Sequence, residues 1–202
     1  MRTRLPPFAA LALAAALAQP LAGCVEVAAG GAAAVTTAAL EERGLKAAVS
    51  DNVIRARILD RWLEHSEEMT RKVDMAITEG RVLLTGILPN QQMRLDAVRL
   101  AWQADGVREI INEIQVDSSA GVGTFARDTW ITTQLLSKLT FDNRVSSINY
   151  SVETVAGTVY LMGIAQDQDE LDRVQNHARN LSYVRRVVSY VRLKDDPRRG
   201  KS

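Results

Sequence analysis

The chain carries one residue pattern twice, and this duplication constrains the fold more than any other feature. At an offset of 77 residues, identical amino acids recur at glycines and at apolar positions. The matched pairs are Asp51 and Asp128, Ile54 and Ile131, Gly80 and Gly157, Val82 and Val159, Leu84 and Leu161, Gly86 and Gly163, Ile87 and Ile164, Ala101 and Ala178, and Val107 and Val184. Self-similarity at a fixed period is the signature of a repeated structural unit. The sequence therefore predicts two tandem copies of one small domain.

Each copy is predicted to begin with a helix, because apolar residues recur at every fourth position. These residues are Ile54, Ile58 and Trp62 in the first copy and Ile131, Leu135 and Leu139 in the second. Ser50 or Asp51 is placed to cap the first of these helices, since either side chain accepts hydrogen bonds from free backbone N–H groups. A second helix with an apolar stripe follows in each copy, and Asn90 is the predicted N-cap in the first.

The strands follow from alternating apolar residues on both sides of Gly80 and of Gly157, which predict a β-hairpin at each glycine. A last strand closes each copy, at residues 110–116 and 187–193. Both copies therefore have the element order α-β-β-α-β. We expect an α+β fold in which two helices cover one face of a three-stranded sheet in each domain.

The segments between the periodic regions give the predicted domain boundaries. Residues 117–124 are rich in glycine and small residues, which is typical of a short flexible joint. The polar end of the chain is predicted to be disordered. We predict a signal peptide over residues 1–23, a lipidated cysteine and tether over 24–48, a first domain over 49–117, a linker over 118–124, a second domain over 125–194 and a disordered tail over 195–202.

The N-terminus has the features of an export signal. Arg2 and Arg4 precede an apolar run from Phe8 to Ala18. This run is shorter than the roughly 20 apolar residues that a membrane-spanning helix needs. A basic start followed by a short apolar segment is typical of a cleaved signal peptide.

The end of this leader, Leu21-Ala22-Gly23-Cys24, resembles the bacterial lipobox. The resemblance implies that Cys24 is acylated and becomes the first residue of the mature protein. It also implies outer-membrane sorting, at the periplasmic face, because Val25 stands where an aspartate would signal inner-membrane retention. Cys24 is the single cysteine, so the chain has no intrachain disulfide.

Three motifs resemble the signature of the BON-domain family. They are Gly80-x-Val82-x-Leu84-x-Gly86, Gly157-x-Val159-x-Leu161-x-Gly163 and Gly106-Val107. Two such domains behind a lipobox resemble the dual-BON outer-membrane lipoproteins. That resemblance implies that the second domain binds anionic phospholipid such as phosphatidylglycerol or cardiolipin. It further implies a role in envelope integrity and no enzymatic activity.

One position departs from the family pattern. The glycine at Gly106 is replaced by Tyr183 in the second copy. A glycine at this point usually provides a left-handed helix cap. We therefore expect the second copy to close its second helix by some other means.

Residues that carry chemistry are sparse. His65 and His177 are far apart and lack the spacing of metal ligands, and Gly121-x-Gly123 lies in the predicted linker instead of between a strand and a helix. We expect no catalytic residues, no metal or cofactor, and no nucleic-acid partner. The surviving functional classes are a lipid-binding module and, as the alternative, a protein-interaction adaptor for outer-membrane assembly or envelope remodelling. A hydrolase of envelope components has the least support.

The three tryptophans receive different predictions. Trp62 and Trp102 fall on helical stripes and are predicted to lie in the core. Trp130 lies one residue, about 100° around the helix, from the stripe that contains Ile131. We expect Trp130 to contact something outside its domain, with packing between the domains as the alternative.

The predicted phospholipid site is the first helix of the second copy. Its residues are Arg127, Asp128, Trp130, Thr133 and Lys138. Basic charge supports this location: residues 120–202 contain 12 Lys and Arg against 9 Asp and Glu, whereas residues 25–119 contain 11 against 15. The second half is therefore the half that an anionic surface attracts.

We predict that Cys24→Ala abolishes membrane anchoring and leaves an unprocessed or soluble periplasmic chain. Stable anchoring takes two hydrophobic signals, and the acylated cysteine supplies them. Palmitate labelling together with cell fractionation measures the effect. Recovery of the unaltered protein in the soluble fraction with its leader intact would refute the assignment.

Overall fold

A computed structural model describes residue 41, residues 44–118 and residues 122–199. The predicted signal peptide, Cys24 and most of the predicted tether lie outside the described residues. The elements, in chain order, are α1 (Gly44–His65), α2 (Glu67–Lys72), β1 (Val73–Thr78), β2 (Arg81–Leu88), α3 (Gln91–Trp102), β3 (Glu109–Val116), α4 (Val122–Phe141), a 3-10 turn (Ser147–Asn149), β4 (Tyr150–Val155), β5 (Thr158–Ala165), α5 (Gln168–Arg179), β6 (Arg186–Ser189) and β7 (Arg192–Leu193). Among these described elements, no helix combines the length and apolar character that crossing a bilayer requires.

The two copies share one sheet topology. In the first, β2 lies in the centre, antiparallel to β1 and parallel to β3. In the second, β5 lies in the centre between β4 and β6, and β7 pairs with β5 further along. The predicted α-β-β-α-β order and α+β fold are confirmed. The last strand of the second copy is interrupted between Ser189 and Arg192.

One face of each sheet is covered by helices and forms that domain's core. In the first core Trp62 is fully buried, and its indole Nε1–H donates to the Ala97 carbonyl at 3.1 Å. The second core contains Ile131, Leu135 and Leu139, as their spacing predicts. The prediction for Trp102 is wrong: it ends α3 with half of its surface exposed, because Ala101 and Ala104, on either side of it, are the residues that turn toward the core.

The opposite faces of the two sheets pack against each other. Alternate residues of each strand point to this second face, and those of the two central strands include Leu83, Tyr160 and Met162, all fully buried. Ala76 and Val155 from the neighbouring strands complete the apolar centre of the interface. Each central strand is therefore buried on both faces. Both domains belong to one compact unit.

Polar contacts extend this interface beyond its apolar centre. The buried Arg81 donates from Nη1 to the Tyr190 carbonyl at 3.0 Å and from Nε to Glu109 at 2.8 Å. Arg192 donates to the same Glu109 carboxylate at 3.2 Å. The Tyr190 hydroxyl donates to the Glu113 carboxylate. These contacts link β3 to the end of the second domain.

The structure differs from two of the predicted boundaries. Helix α4 begins at Val122, so part of the predicted linker over residues 118–124 is helical. Within the predicted disordered tail, Asp195 to Arg199 is described and is held in turns, and Arg199 binds the Glu79 carboxylate at 2.9 Å. Sequence composition does not reveal this docking, because the partner of Arg199 lies in the other domain.

A buried aspartate ties the first helix of each domain to its hairpin turn. Asp51 lies within α1, not at its N-terminus, and its two carboxylate oxygens accept from the backbone N–H groups of Glu79 at 2.9 Å and Gly80 at 2.8 Å. Asp128 accepts in the same way from Ala156 at 2.7 Å and from Gly157 at 2.9 Å. The prediction of Ser50 or Asp51 as the N-cap is therefore wrong, because the helix begins earlier, at Gly44.

The last glycine of each family motif is explained by a close backbone approach. A side chain at Gly86 would place its Cβ 2.1 Å from the Lys72 carbonyl oxygen, and one at Gly163 would lie 1.9 Å from the Asn149 carbonyl oxygen. Both glycines have positive φ, 129° and 145°. A residue with a side chain fits at either position only if the backbone just before β1 or β4 moves.

We predict that Asp51→Ala lowers the free energy of unfolding by about 2–4 kcal/mol, since it removes two charge-assisted hydrogen bonds and leaves buried N–H groups without an acceptor. Asp51→Asn, which keeps one acceptor oxygen, is expected to lose less. Urea unfolding measures the difference, with Asp60→Ala on the exposed face of α1 as the control. Equal stability of Asp51→Ala and the control would contradict this role.

Candidate functional site

An exposed aromatic cluster lies on the second domain and consists of Arg127, Trp130 and Tyr183. Trp130 on α4 is 42% exposed and Tyr183 is 63% exposed. Their ring centroids lie 5.9 Å apart, with the ring planes at 77°, which is an edge-to-face contact. The Arg127 guanidinium carbon lies 5.2 Å from the centroid of the Tyr183 ring, in a cation–π contact.

The local sequence places these side chains on the outside. Ile131 and Leu135 face the core, so Trp130 is turned away from it. Arg127 and Trp130 are three residues apart and share a face of the helix. Tyr183 comes from the turn after α5 and has a φ of 70°, matching the φ of 99° at Gly106. The expectation that the second copy closes this helix differently is wrong, because Tyr183 adopts the same left-handed conformation.

The other predicted site residues are not part of the cluster. Asp128 is wrong as a lipid-binding residue, because it is buried and both of its carboxylate oxygens hold the hairpin turn. The Thr133 hydroxyl donates to the Thr129 carbonyl at 2.9 Å, and its side chain lines a separate cleft. Lys138 is exposed, eleven residues after Arg127 and so about 16 Å further along the helix. Of the predicted residues, the structure brings together Arg127 and Trp130.

Sequence reasoning did not include Tyr183 in the site. The available signal was an aromatic residue in a position where the first copy has Gly106. The contact with Trp130 joins residues 53 positions apart, on different elements. Such a pairing follows from the packing of α4 beside the end of α5 and not from any local pattern.

A cleft of about 410 Å³ lies between the two domains. Charged side chains from the first domain, Arg71, Lys72 and Asp74, line one side. The start of α4 and strand β4 line the other, including the exposed Phe125. Thr132 and Thr154 form a hydroxyl–hydroxyl hydrogen bond of 2.8 Å in its wall.

Two carboxyl groups from different domains face this cleft. Burial, together with the nearby Asp74 carboxylate, raises the pKa of Glu153 to about 7, while Arg55 opposes the rise. Burial also raises the pKa of Asp74, with Arg55 opposing. At neutral pH the Glu153 side chain is therefore only partly ionised.

The two histidines lie beside different carboxylates. His177 Nε2 lies 2.7 Å from the Asp142 carboxylate, and this hydrogen bond lowers the pKa of Asp142. His65 Nε2 lies 3.7 Å from Asp96. In the part of the chain that the structure describes, no three His, Cys, Asp or Glu residues are grouped so as to hold a metal ion. The first contact joins α5 to the residue that follows α4, and the second joins α1 to α3.

The fold and the repeated motifs agree with a family model. The BON domain model matches residues 50–118 and 127–195, and together these matches cover most of the chain. The chain therefore belongs to the BON-domain family, with two copies of the domain.

Three relatives illustrate the family. A protein of Anaplasma centrale, described as an uncharacterized protein in the gshII 5′ region, is 39% identical over 147 residues, which cover 72% of this chain and 96% of the relative. The outer membrane lipoprotein DolP of Haemophilus influenzae is 28% identical over 177 residues, 87% of this chain and 91% of the relative. The 21 kDa hemolysin of Actinobacillus pleuropneumoniae is 32% identical over 160 residues, 77% and 81% of the two chains.

We predict that Glu153→Gln stabilises the protein at pH 8 by on the order of 1–3 kcal/mol. The folded state raises the pKa of Glu153 from its ordinary value near 4.5 to about 7, so it binds this proton more tightly than the unfolded state does. The contribution of Glu153 to stability therefore declines as pH rises from 4.5 to 7 and is constant above that.

The free energy of unfolding, measured by urea titration from pH 4 to 8, tests this difference. The difference between variant and unaltered protein should grow with pH through that window. Glu64→Gln on the exposed end of α1 is the control. Parallel pH profiles for Glu153→Gln and the unaltered protein would contradict the prediction.

Proposed function

We propose that this protein is a lipid-anchored lipoprotein at the periplasmic face of the outer membrane, that its second BON domain binds anionic phospholipid, and that it supports envelope integrity. The similarity to the outer membrane lipoprotein DolP supports the location, as do the export signal and the lipobox-like sequence at Cys24. Phosphatidylglycerol and cardiolipin are the proposed ligands.

The observation that carries the lipid proposal is the exposed cluster in which Trp130 and Arg127 both contact Tyr183. Helix α4 covers the face of its sheet opposite to the interface between the domains, so Trp130 projects from the outer surface of the second domain. Tryptophan favours the headgroup level of a bilayer, where its ring is buried and its N–H group remains hydrated. Arg127, three residues earlier on the same helix, supplies a positive charge for a lipid phosphate.

The expected affinity of this site is modest. Each basic residue near an anionic surface contributes about 1 kcal/mol, before screening by salt. Arg127 is the basic member of the cluster, and the net positive charge of the second half adds attraction over a longer range. An acyl chain at Cys24 would hold the domain close to the membrane and so raise its effective concentration there.

A protein-interaction adaptor remains the second candidate, and a different surface favours it. Among the described side chains of α1 in the first domain, four large apolar ones are exposed: Val49, Val53, Leu59 and Leu63. Apolar side chains concentrated on one exposed helix are typical of a protein-binding surface. Photo-crosslinking from Leu63 in intact cells would identify a protein partner, whereas a purely lipid-binding role predicts no specific adduct there.

We predict that Trp130→Ala lowers the affinity for phosphatidylglycerol vesicles at least about tenfold, since burial of a large apolar side chain contributes about 1.5–3 kcal/mol. Flotation of residues 25–202, which contain both domains and lack Cys24, measures binding without the acyl anchor. Trp102→Ala is the matched control, because Trp102 is also half exposed but belongs to the first domain.

The melting temperature of each variant should stay close to that of the unaltered protein. Unchanged vesicle binding by a folded Trp130→Ala protein would show that lipid does not bind at this site. Equal losses in the Trp130 and Trp102 variants would show that binding is not specific to the second domain.

A further inference from the structure

Tyr183 holds a backbone conformation that its side chain disfavours. Among the described residues, three that are not glycine have positive φ: Glu79, Ala156 and Tyr183. Glu79 and Ala156 lie in the hairpin turns, where the carboxylates of Asp51 and Asp128 bind their N–H groups. A bulky residue in this region is an outlier, and such outliers concentrate at functional sites.

The turn itself does not require the tyrosine ring. The first copy makes the same turn with Gly106, which adopts positive φ without strain. The closing hydrogen bonds match: Arg108 N–H donates to Gly80 at 2.8 Å, and Arg185 N–H donates to Gly157 at 2.8 Å. A glycine at position 183 would therefore give the same backbone geometry at lower conformational cost.

The ring also contributes little to the core, since 63% of Tyr183 is exposed. Its contacts run outward along the surface, edge-to-face with Trp130 and face-on with Arg127. Tyr183 thus enlarges the exposed aromatic surface from one ring to two. The Tyr183 ring also lies against the Arg127 guanidinium, and this cation–π contact favours one placement of that group.

We infer that Tyr183 is a second membrane-contacting residue, which enters the headgroup region of an anionic bilayer beside Trp130 and presents Arg127 to a lipid phosphate. This inference rests on the proposed function and adds to it a residue that the first domain lacks. A tyrosine ring suits that depth, because its body is apolar and its hydroxyl remains hydrated. The planar guanidinium of Arg127 matches two phosphate oxygens at once.

The first test uses Tyr183→Gly in residues 25–202, with vesicles of phosphatidylglycerol and phosphatidylcholine. Removal of the ring should weaken vesicle binding roughly five- to tenfold, as loss of one buried aromatic ring does. Release of the backbone strain should raise the melting temperature by roughly 2–5 °C. Tyr183→Phe, which keeps the ring, should bind within about twofold of the unaltered protein. A gain in stability together with a loss of binding excludes unfolding as the cause.

The second test separates direct contact from mere bracing of Trp130. Residues 25–202 contain no cysteine, so Tyr183→Cys provides a single attachment point for a spin label. On vesicle binding, a label at position 183 should become less accessible to a water-soluble relaxation agent and more accessible to oxygen. Leu95→Cys, exposed on α3 of the first domain, is the matched control and should show no change.

The outcomes distinguish this inference from the function on which it rests. Loss of binding in Trp130→Ala with normal binding in Tyr183→Gly would overturn the role of Tyr183 and leave the proposed function intact. The inference would also be overturned if a label at position 183 remained equally accessible to the water-soluble relaxation agent after the protein binds vesicles. Tyr183 would then only position Trp130. Normal binding in both variants would overturn the proposed function itself.

Discussion

The packing of the two sheets against each other is the constraint on which the rest of the structure depends. Leu83 of the first domain and Tyr160 and Met162 of the second are buried in this contact. Because one face of each sheet is taken by the other domain, all the long helices must cover the opposite faces. The exposed side of α4, which carries Trp130, is thereby directed outward. A flexible tandem of independent domains would not present a single defined surface in this way.

The two copies have the same residues where the backbone geometry requires them and different residues at exposed positions. Asp51 and Asp128 make the same pair of hydrogen bonds to equivalent hairpin turns. Position 106 and its equivalent 183 share a left-handed backbone, yet one is glycine and the other an exposed tyrosine. At this turn the difference between the copies therefore lies in surface chemistry, while the backbone is common to both.

The repeat and the local patterns predict most of each domain from the sequence. The helical stripe of Ile131 and the hairpin glycines correspond to core and turn in the structure. The runs Val82-Leu83-Leu84 and Val159-Tyr160-Leu161-Met162 are apolar at every position, which is typical of strands buried on both faces. That pattern indicates a second covering layer, but it does not say that the layer is the other domain.

The remaining features depend on contacts between distant parts of the chain. The residues next to Asp128 in the sequence do not show whether its side chain faces solvent or binds the hairpin turn 28 residues away. The burial of Asp128 was therefore not predicted. The docking of Arg199 on Glu79 spans 120 residues. The pairing of Trp130 with Tyr183 likewise requires the packing of α4 beside the end of α5. Local propensity and periodicity carry no information about such pairings.

A residue-by-residue NMR titration of residues 25–202 with phosphatidylglycerol micelles tests the central claim most directly, namely that lipid binds on the outer surface of the second domain. We expect the largest chemical-shift changes on α4 around Arg127 and Trp130 and on the turn at Tyr183, with little change in the first domain. Changes centred on the exposed residues of α1, or on the cleft around Phe125 and Glu153, would contradict it.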